Sequence, residues 1–389
     1  MMKKKVALAI NWDYHDYGGM LQAFATQQAL NKLGIDSEAI DFDNLKGNIN
    51  KRKWKYFLSN ILDITIVKEK GRVISKKIRS KFNHKMMLKQ GLRDAAFDAF
   101  CKSRFTTSRK FVSWDDLSDA CRQYDAVMVG SDQLWLPSNV AGDYYTLSFV
   151  PDDIRKVAYA TSFGIGVIPN EMKAQYVRFL SRIDYLSARE TSGQNIIKEC
   201  TGRGVPLVCD PTMLLDKKDW EMIATDRRVV EGDYVFCYFM GDNPGQRDFA
   251  RRLAKENNCK IVALLHLDQF IASDEHYADD TPYNIGPADF VNLIKNARYV
   301  CTDSFHGTVF SIIFSKDFFT FKRFNKKASL STNSRLTSLL ERMDLMDRMF
   351  TGNESLDNSL CINNYQIVQE NLSAFKEQSF HYLGNALGI

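Results

Sequence analysis

Short apolar runs alternate with longer amphipathic stretches along most of the chain. In the first half, six runs have the length and composition of buried strands: KVALAINW, DSEAIDFD, YDAVMVGS, RKVAYATSFG, IDYLSARE and PLVCDPT. Between the first two lies Met20–Gly34, whose apolar residues recur at helical spacing and whose terminal glycine is a common helix stop. Alternation of strand with helix predicts parallel βαβ units.

A second series of the same kind begins near Lys217. Its predicted strands are YVFCYFMG, KIVALLHL, ARYVCTDS and FFTFKR, and its predicted helices are GQRDFARRLAKEN, GPADFVNLIKN and HGTVFSIIFS. We therefore predict an α/β protein with two doubly wound, Rossmann-like domains, 1–215 and 216–364, joined near LLDKKDW. The C-terminal segment 365–389 is predicted to be a long amphipathic helix, which in folds of this kind can cross back onto the first domain.

The length and composition agree with a two-domain protein. A chain of 389 residues, 45% of them hydrophobic, exceeds what one core usually serves. No apolar run approaches the roughly 18 residues of a membrane span, and the apolar stretch after the N-terminal lysines is too short for a signal peptide. We expect a cytoplasmic protein. The eight cysteines include no C-x-x-C pair, so neither a zinc ribbon nor a redox pair is indicated.

Positive charge is concentrated in residues 46–110. This segment contains 19 Lys or Arg against four Asp or Glu, a net charge of +15, which leaves −10 for the rest of a chain whose net charge is +5. One interpretation is a solvated helical insertion in the first domain. Another is a surface for a phosphorylated acceptor or for an anionic membrane, with peripheral attachment at its inner face. Nucleic acid is not expected, because no recognised binding motif accompanies the charge.

Polar residues collect where the predicted strands end, the place at which open parallel sheets bind ligands. After the first strand, Gly18 and Gly19 precede a helix, which suits either a tight turn or approach of an anion to the backbone. In GSDQLW, Ser131 and Asp132 follow another strand. Asp132 suits either a helix N-cap or a partner for a substrate hydroxyl, with Trp135 as an apolar face for a sugar.

Arg189 and His306, two residues that can carry positive charge, also follow predicted strands. Arg189 follows the strand in IDYLSARE, where its planar fork suits a carboxylate or phosphate unless it is a surface charge or ion pair. His306 lies in DSFHG at the start of a helix too apolar for the surface. With Ser304 and Gly307, it forms either a structural helix start or a site that binds an anion and moves a proton.

In their order along the chain, these segments resemble the polysaccharide pyruvyl transferases. The matching pieces are YGGMLQAFATQQALNKLG, YDAVMVGSDQLW, VAYATSFG, IDYLSARET, VCDPTMLLDKKDW, ARYVCTDSFHGTVFSIIF and NSRLTSLLERMDL. The resemblance implies two domains facing a cleft, as in GT-B glycosyltransferases, with the acceptor on the first domain and the donor on the second. It implies transfer of pyruvyl from phosphoenolpyruvate to two hydroxyls of a sugar or lipid-linked oligosaccharide, forming a cyclic ketal in a surface polysaccharide.

The same resemblance assigns roles to individual residues. Arg189 and His306 match the family's donor-binding arginine and histidine, and Arg335 in NSRL is a third candidate. Arg189 is expected to hold the donor's carboxylate or phosphate, His306 to act as general acid or to stabilise the phosphate, and Asp132 to orient or deprotonate the acceptor. No cofactor and no metal are expected, because the acidic residues form no metal-ligand motif and Arg, His and backbone N–H groups can meet the donor's charge.

Two other functions fit parts of the sequence. A GT-B-like glycosyltransferase would bind a nucleotide sugar, with its diphosphate at the helix that begins in SFHG. A non-enzymatic scaffold of a polysaccharide assembly complex would depend on the basic segment and not on His306.

Overall fold

Two parallel sheets with helices on their faces make up the protein, in a computed structural model that describes residues 3–59, 84–225, 227–267, 270–323, 333–356, 361–362 and 364–389. The strands are β1 Lys5–Ala9, β2 Asp36–Asp41, β3 Thr107–Lys110, β4 Ala126–Val129, β5 Arg155–Thr161, β6 Tyr185–Ala188, β7 Tyr234–Tyr238, β8 Lys260–Ala263, β9 Tyr299–Thr302, β10 Asp317–Phe321 and β11 Met349–Phe350. The α/β prediction is confirmed.

Helices occupy most of the connections between these strands. They are α1 Tyr17–Lys32, α2 Lys46–Ser59, α3 His84–Arg104, α4 Trp114–Ala120, α5 Pro137–Gly142, α6 Lys173–Arg182, α7 Thr191–Thr201, α8 Lys217–Ile223, α9 Pro244–Glu256, α10 Pro287–Asn296, α11 Phe305–Ile313, α12 Asn333–Met343 and α13 Tyr365–Leu387. No helix in the described ranges is long and apolar enough to cross a bilayer.

The strand orders determine where ligands can bind. The first sheet has the order β3-β2-β1-β4-β5-β6, and the second has β11-β10-β9-β7-β8, with every pair parallel. The strand order therefore reverses between β1 and β4 in one sheet and between β7 and β9 in the other. In open parallel sheets, such a reversal leaves a crevice beyond the carboxyl ends of the two strands.

A single apolar core joins the two sheets. It contains side chains of β1 and α1 from the first half together with side chains of β7, β9, α10 and α11 from the second. Tyr17 at the start of α1 stacks on Phe290 with ring centroids 4.8 Å apart, and its hydroxyl donates to the carbonyl oxygen of Ile285. The outer face of each sheet has a core of its own.

The structure changes the interpretation of the basic segment. Residues 60–83 lie outside the described residues, but α3 is not a solvated insertion, because its Phe97 and Phe100 are buried in the main core. The segment also ends in β3, which pairs with β2 as the edge strand of the first sheet. The first sheet thus includes residues that the sequence assigned to an insertion. Contact of residues 46–110 with an anionic membrane stays a prediction.

Other differences are local. PLVCDPT, expected to be a strand, contributes one bridge between Leu207 and Ala188. The C-terminal helix α13 contacts both halves: Gln369 donates to the carbonyl oxygen of Ile312, and Tyr382 donates to that of Ala158 on β5. The domain limits at 215 and 364 remain predictions.

Candidate functional site

A buried ion pair lies beyond the carboxyl end of the first sheet. Arg189 follows β6, and its Nη1 donates to Oδ2 of Asp210 at 2.6 Å and to Oγ of Ser131 at 3.2 Å. Ser131 follows β4 and itself donates to Asp210 at 3.0 Å. The Arg189 and Asp210 side chains are 2% and 0% exposed. Two polar groups from different chain segments, which also bond to each other, therefore fix the guanidinium in one orientation.

Asp210 remains ionised in this buried position. Burial alone would raise the pKa of its carboxyl, but the nearby His306 and Arg189 side chains and the hydrogen bonds from Arg189 and Thr212 outweigh burial, so that the pKa lies well below its usual range. Thr212 contributes two of these bonds, from its backbone N–H at 3.0 Å and its hydroxyl at 2.7 Å. Asp210 is thus a permanent negative charge between the side chains of Arg189 and His306.

His306 brings the second sheet to the same carboxylate. It lies in the first turn of α11, directly after β9, and its Nε2 is 3.5 Å from Oδ2 of Asp210. Nε2 is buried and makes no hydrogen bond to any described residue. The ring packs over Gly18, where an added Cβ would lie 1.9 Å from Nδ1. A glycine is needed at position 18 because the imidazole occupies the space of a side chain.

Arg335 is the third member of a group of side chains, with Arg189 and His306, that we call the cationic region. Both guanidinium groups lie near the aromatic ring of Phe305. Cζ of Arg189 is 4.6 Å from the centroid of the ring, and Cζ of Arg335 is 5.8 Å from it. Burial and the neighbouring charge of Arg189 lower the pKa of Arg335 to about 10, so the guanidinium is still charged at neutral pH. Nε of Arg335, like Nε and Nη2 of Arg189, is buried without a hydrogen-bond partner among the described residues.

Two carboxylates flank the first turn of α1. A Cβ on Gly19 would lie 3.3 Å from Oδ1 of Asp16 and 3.7 Å from Oδ2 of Asp132. Asp16 is the N-cap of α1 and accepts from the backbone N–H of Gly19 at 2.7 Å. Burial, with the charge of Asp132, raises the pKa of Asp16. Asp132 is 23% exposed, and its Oδ1 lies 3.9 Å from Nη2 of Arg189. Asp132 therefore has an oxygen free to meet a ligand.

Other buried acids nearby are already committed to the protein. Asp303 accepts from the backbone N–H groups of Met240 and Gly241 at 2.6 and 2.8 Å and so joins the ends of β7 and β9. Oε1 of Glu190 accepts from the hydroxyl of Ser162 at 2.7 Å, and Oε2 lies 3.8 Å from Nε of Arg189. These two side chains position the strand ends.

The structure brings together Arg189, Ser131, Asp132, His306, Gly18 and Arg335 from the set of residues singled out in the sequence. Three others have local structural roles. The N–H of Gly19 is bonded to Asp16, and Ser304 caps α11 by accepting from the N–H of Gly307. A Cβ at Gly307 would lie 2.6 Å from Oγ1 of Thr302, so close packing on β9 explains that glycine. Neither backbone N–H is free for an anion.

Two expectations about GSDQLW are wrong. Asp132 is not an N-cap, because α5 begins at Pro137 and Asp132 has a left-handed backbone, with φ of 81°. Trp135 cannot offer a face to a sugar, because it is fully buried and its Nε1 donates to the carbonyl oxygen of Tyr145 at 3.0 Å.

Sequence reasoning missed Asp16 and Asp210. Both stand in segments that had been singled out, in HDYGG and CDPT, where an acid before a glycine or proline has the ordinary explanation of a cap or turn. Asp16 and Asp210 do cap a helix and a turn, respectively. Their second role depends on contacts between distant parts of the chain. Within the described ranges, no cluster of three or more His, Cys, Asp or Glu side chains is arranged to hold a metal ion.

Comparison with known proteins yields one family and a set of distant folds. A model described as polysaccharide pyruvyl transferase matches residues 16–323. No curated protein matches the chain. The UDP-GlcNAc 2-epimerase of Methanocaldococcus jannaschii, solved with UDP-GlcNAc and UDP, is 13% identical, with 96% of this chain and 99% of that chain covered and a TM-score of 0.44.

Two further solved structures are similar to the same degree. The UDP-GlcNAc 2-epimerase of Neisseria meningitidis, bound to UDP-GlcNAc, is 12% identical over 96% of this chain and 100% of that one, with a TM-score of 0.45. MurG of Acinetobacter baumannii is 9% identical over 100% and 99%, with a TM-score of 0.43. Similarity at this level says nothing about substrate.

Proposed function

The chain belongs to the polysaccharide pyruvyl transferase family, and from that premise we propose that it transfers pyruvyl from phosphoenolpyruvate to two hydroxyls of a sugar. The observation that carries the proposal is a set of buried nitrogens that have no hydrogen-bond partner among the described residues: Nε and Nη2 of Arg189 and Nε of Arg335, beside Nε2 of His306. Leaving such donors buried and unbonded costs free energy, which an anionic ligand restores.

Phosphoenolpyruvate matches this arrangement of donors. It carries a carboxylate and a phosphate on the same carbon atom, and guanidinium groups bind both through paired, charge-assisted hydrogen bonds. Arg189 is held by Asp210 and Ser131, so its orientation does not have to be fixed when the donor binds. Its Nε and Nη2 make no hydrogen bond to a described residue, and the nearest carboxylate oxygens, of Glu190 and Asp132, lie 3.8 and 3.9 Å away. In this proposal, Arg189 and Arg335 bind the donor's anionic groups.

The remaining groups are suited to the proton transfers. A proton adds to the methylene carbon of the donor, a sugar hydroxyl attacks the adjacent carbon, and phosphate leaves with the electrons of its C–O bond. A second hydroxyl then closes the ketal. The two hydroxyls lose two protons in total. One proton is accounted for by the proton that converts the methylene group to a methyl group, and the other leaves with phosphate. His306 is assigned the proton delivery or the charge on phosphate, and Asp132 is assigned the acceptor hydroxyl.

Titration calorimetry with phosphoenolpyruvate tests the donor site. Arg189→Lys keeps the charge but loses the fork, and His306→Gln removes the imidazole; each is expected to weaken binding by about tenfold or more. Arg178→Ala, on the exposed face of α6, is the matched control and is expected to bind like wild type. Melting curves verify that each variant is folded.

Two results would contradict the proposal. Wild-type protein that binds a nucleotide sugar and ignores phosphoenolpyruvate would favour a glycosyltransferase. Equal binding of phosphoenolpyruvate by wild type and both site variants would move the donor away from Arg189 and His306. The transfer itself is followed by release of phosphate and by the mass that a pyruvyl ketal adds to the sugar.

A further inference from the structure

A cavity of about 340 Å³ opens beside Asp16. Its walls come from both halves of the protein and from α3. They include Asp16, Tyr17, Arg93, Asp94, Phe97 and Tyr238. This volume is in the range of small-molecule binding sites, roughly 300–1,000 Å³. The side chains of Arg189, Arg335 and His306 do not line it, so the cavity is chemically distinct from the cationic region.

The cavity walls combine aromatic rings with groups that bond to hydroxyls. The ring centroid of Tyr17 is 4.8 Å from that of Phe97 and 5.8 Å from that of Tyr238. Such rings give an apolar surface to the C–H face of a sugar, while carboxylate and guanidinium groups bond to its hydroxyls. The presence of two carboxylates, Asp16 and Asp94, disfavours a doubly charged anion and fits a neutral polyol.

One residue that lines this cavity carries a donor without a hydrogen-bond partner among the described residues. Nε of Arg93 is buried and makes no hydrogen bond to any described residue. Both imidazole nitrogens of His15, in contrast, are engaged, with Asp94 at 3.1 Å and Asp98 at 2.9 Å. An unbonded buried N–H of a charged group is costly, and a ligand oxygen would satisfy it. Arg93 is therefore the residue of the cavity that most directly indicates a ligand.

Helix α3 holds Arg93 in a fixed position between the two halves. On one side, Phe97 packs on Tyr17 of α1. On the other side, a Cβ at Gly286, which precedes α10, would lie 3.3 Å from both Cβ and the carbonyl oxygen of Ala96. The helix is thus a wall of the cavity that contacts both domains.

We propose that this cavity is the acceptor subsite and that it takes a neutral, hydroxyl-bearing hexopyranose, with Arg93 on α3 as a specificity residue. The proposal rests on the proposed function, because it assigns the second substrate of the same reaction. Asp16 lies at the boundary: it lines the cavity, and the turn that it caps carries Gly18, on which His306 packs. A sugar in the cavity would therefore lie next to the donor without sharing the arginines.

Saturation-transfer NMR with methyl glycosides of glucose, galactose, mannose, N-acetylglucosamine and N-acetylmannosamine tests this assignment. Wild type is expected to bind at least one of the five. Arg93→Met keeps the aliphatic stem and is expected to weaken that binding about tenfold, the effect of losing one charged hydrogen bond. Arg104→Met, on the exposed C-terminal turn of α3, is the matched control and is expected to bind like wild type. Asp94→Asn is a second, conservative variant expected to weaken binding.

Calorimetry with phosphoenolpyruvate on the same proteins separates the two proposals. The acceptor subsite predicts unchanged donor affinity in Arg93→Met. Donor binding without binding of any glycoside would overturn the subsite and leave the proposed function intact. Unchanged glycoside binding in both Arg93→Met and Asp94→Asn would also overturn it. Loss of donor affinity in Arg93→Met would assign the cavity to the donor, whereas wild type that does not bind phosphoenolpyruvate would remove the proposed function itself.

Discussion

Gly18 is a residue of the first half whose backbone is in close contact with a side chain of the second half. The imidazole of His306 fills the space that a Cβ at this position would need, with 1.9 Å between that Cβ and Nδ1. Because the neighbouring atoms belong to backbone and to a buried ring, neither can move without displacing the other. The position of His306 beside Asp210 therefore depends on a glycine 288 positions earlier in the chain.

Gly18→Ala is expected to displace His306 and break its 3.5 Å contact with Asp210. Binding of phosphoenolpyruvate should fall by about tenfold or more, because the new methyl group overpacks the interior at the site. Titration calorimetry measures the effect. Gly91→Ala in α3 is the control, since a Cβ there meets nothing within 4 Å. That variant should bind normally and gain up to about 1 kcal/mol of stability, as for Gly to Ala in a helix.

Normal donor binding by a folded Gly18→Ala protein would show that the imidazole position is not required. It would then be necessary to assign the donor to Arg189 and Arg335 without His306.

The chemistry at strand ends was predictable to a large extent at this scale. Arg189, Ser131, Asp132 and His306 follow parallel strands, and the carboxyl ends of such strands meet in one crevice. The role of Asp210 in joining the two crevices was not predictable. Asp210 bonds to Arg189 within its own half and faces His306 of the other, and local sequence gives no information on a contact between residues so far apart. Trp135 was misassigned because its burial depends on packing that the sequence pattern does not reveal.

At the scale of elements, α3 and β3 were the least predictable parts. The charge of the basic segment dominates its composition and conceals two buried residues, Phe97 and Phe100, on one face of α3. Strand β3 reads TSRK, and only Ser108 is buried. A charged sequence of this kind is typical of an edge strand, where it prevents pairing with other chains, but it lacks the apolar alternation by which strands are recognised.

Helix α1 begins with a carboxylate that is both a cap and a partly buried charge. Asp16 accepts from the N–H of Gly19, yet burial and the charge of Asp132 raise its pKa above the ordinary value of 3.8. A carboxyl whose folded pKa is raised binds its proton more tightly in the folded state. The stability from this protonation is fully present below pH 3.8 and is lost as the pH rises through the raised value.

Asp16→Asn is therefore expected to be more stable than wild type at neutral pH. Asparagine is an equally good N-cap, so the bond to Gly19 is kept while the partly buried charge is removed. The difference between the two proteins should shrink as the pH is lowered toward the ordinary pKa. Urea unfolding at pH 5 and pH 8 measures it. A variant that is less stable than wild type at pH 8 would show that the ionised carboxylate is favourable in place, against the direction of the pKa shift.

At the scale of the whole molecule, two sheets share one apolar core. Alternation of strand and helix predicted two Rossmann-like units, and the strand orders bear out that part of the fold. The alternation did not predict that the two units share one apolar core. Tyr17, Phe290, Trp220 and Phe310 belong to a continuous core that includes residues of both sheets. Domains usually move relative to one another unless the interface between them is large and hydrophobic, which is the case here.

Calorimetric unfolding of the protein should accordingly give one cooperative transition, and phosphoenolpyruvate should raise its temperature, since a ligand bound only by the folded state stabilises it.

Phe290→Ala removes the ring that stacks on Tyr17 and is expected to cost about 3–5 kcal/mol. Because the loss falls on the shared core, the single transition should separate into two. Phe319→Ala is the matched control: this residue is equally buried, but it packs in the core on the outer face of the second sheet. It should lower the unfolding temperature without separating the transition. Two transitions in wild type would mean that the shared core does not couple the halves, and the contact between His306 and Asp210 would then have to form anew when the ligand binds.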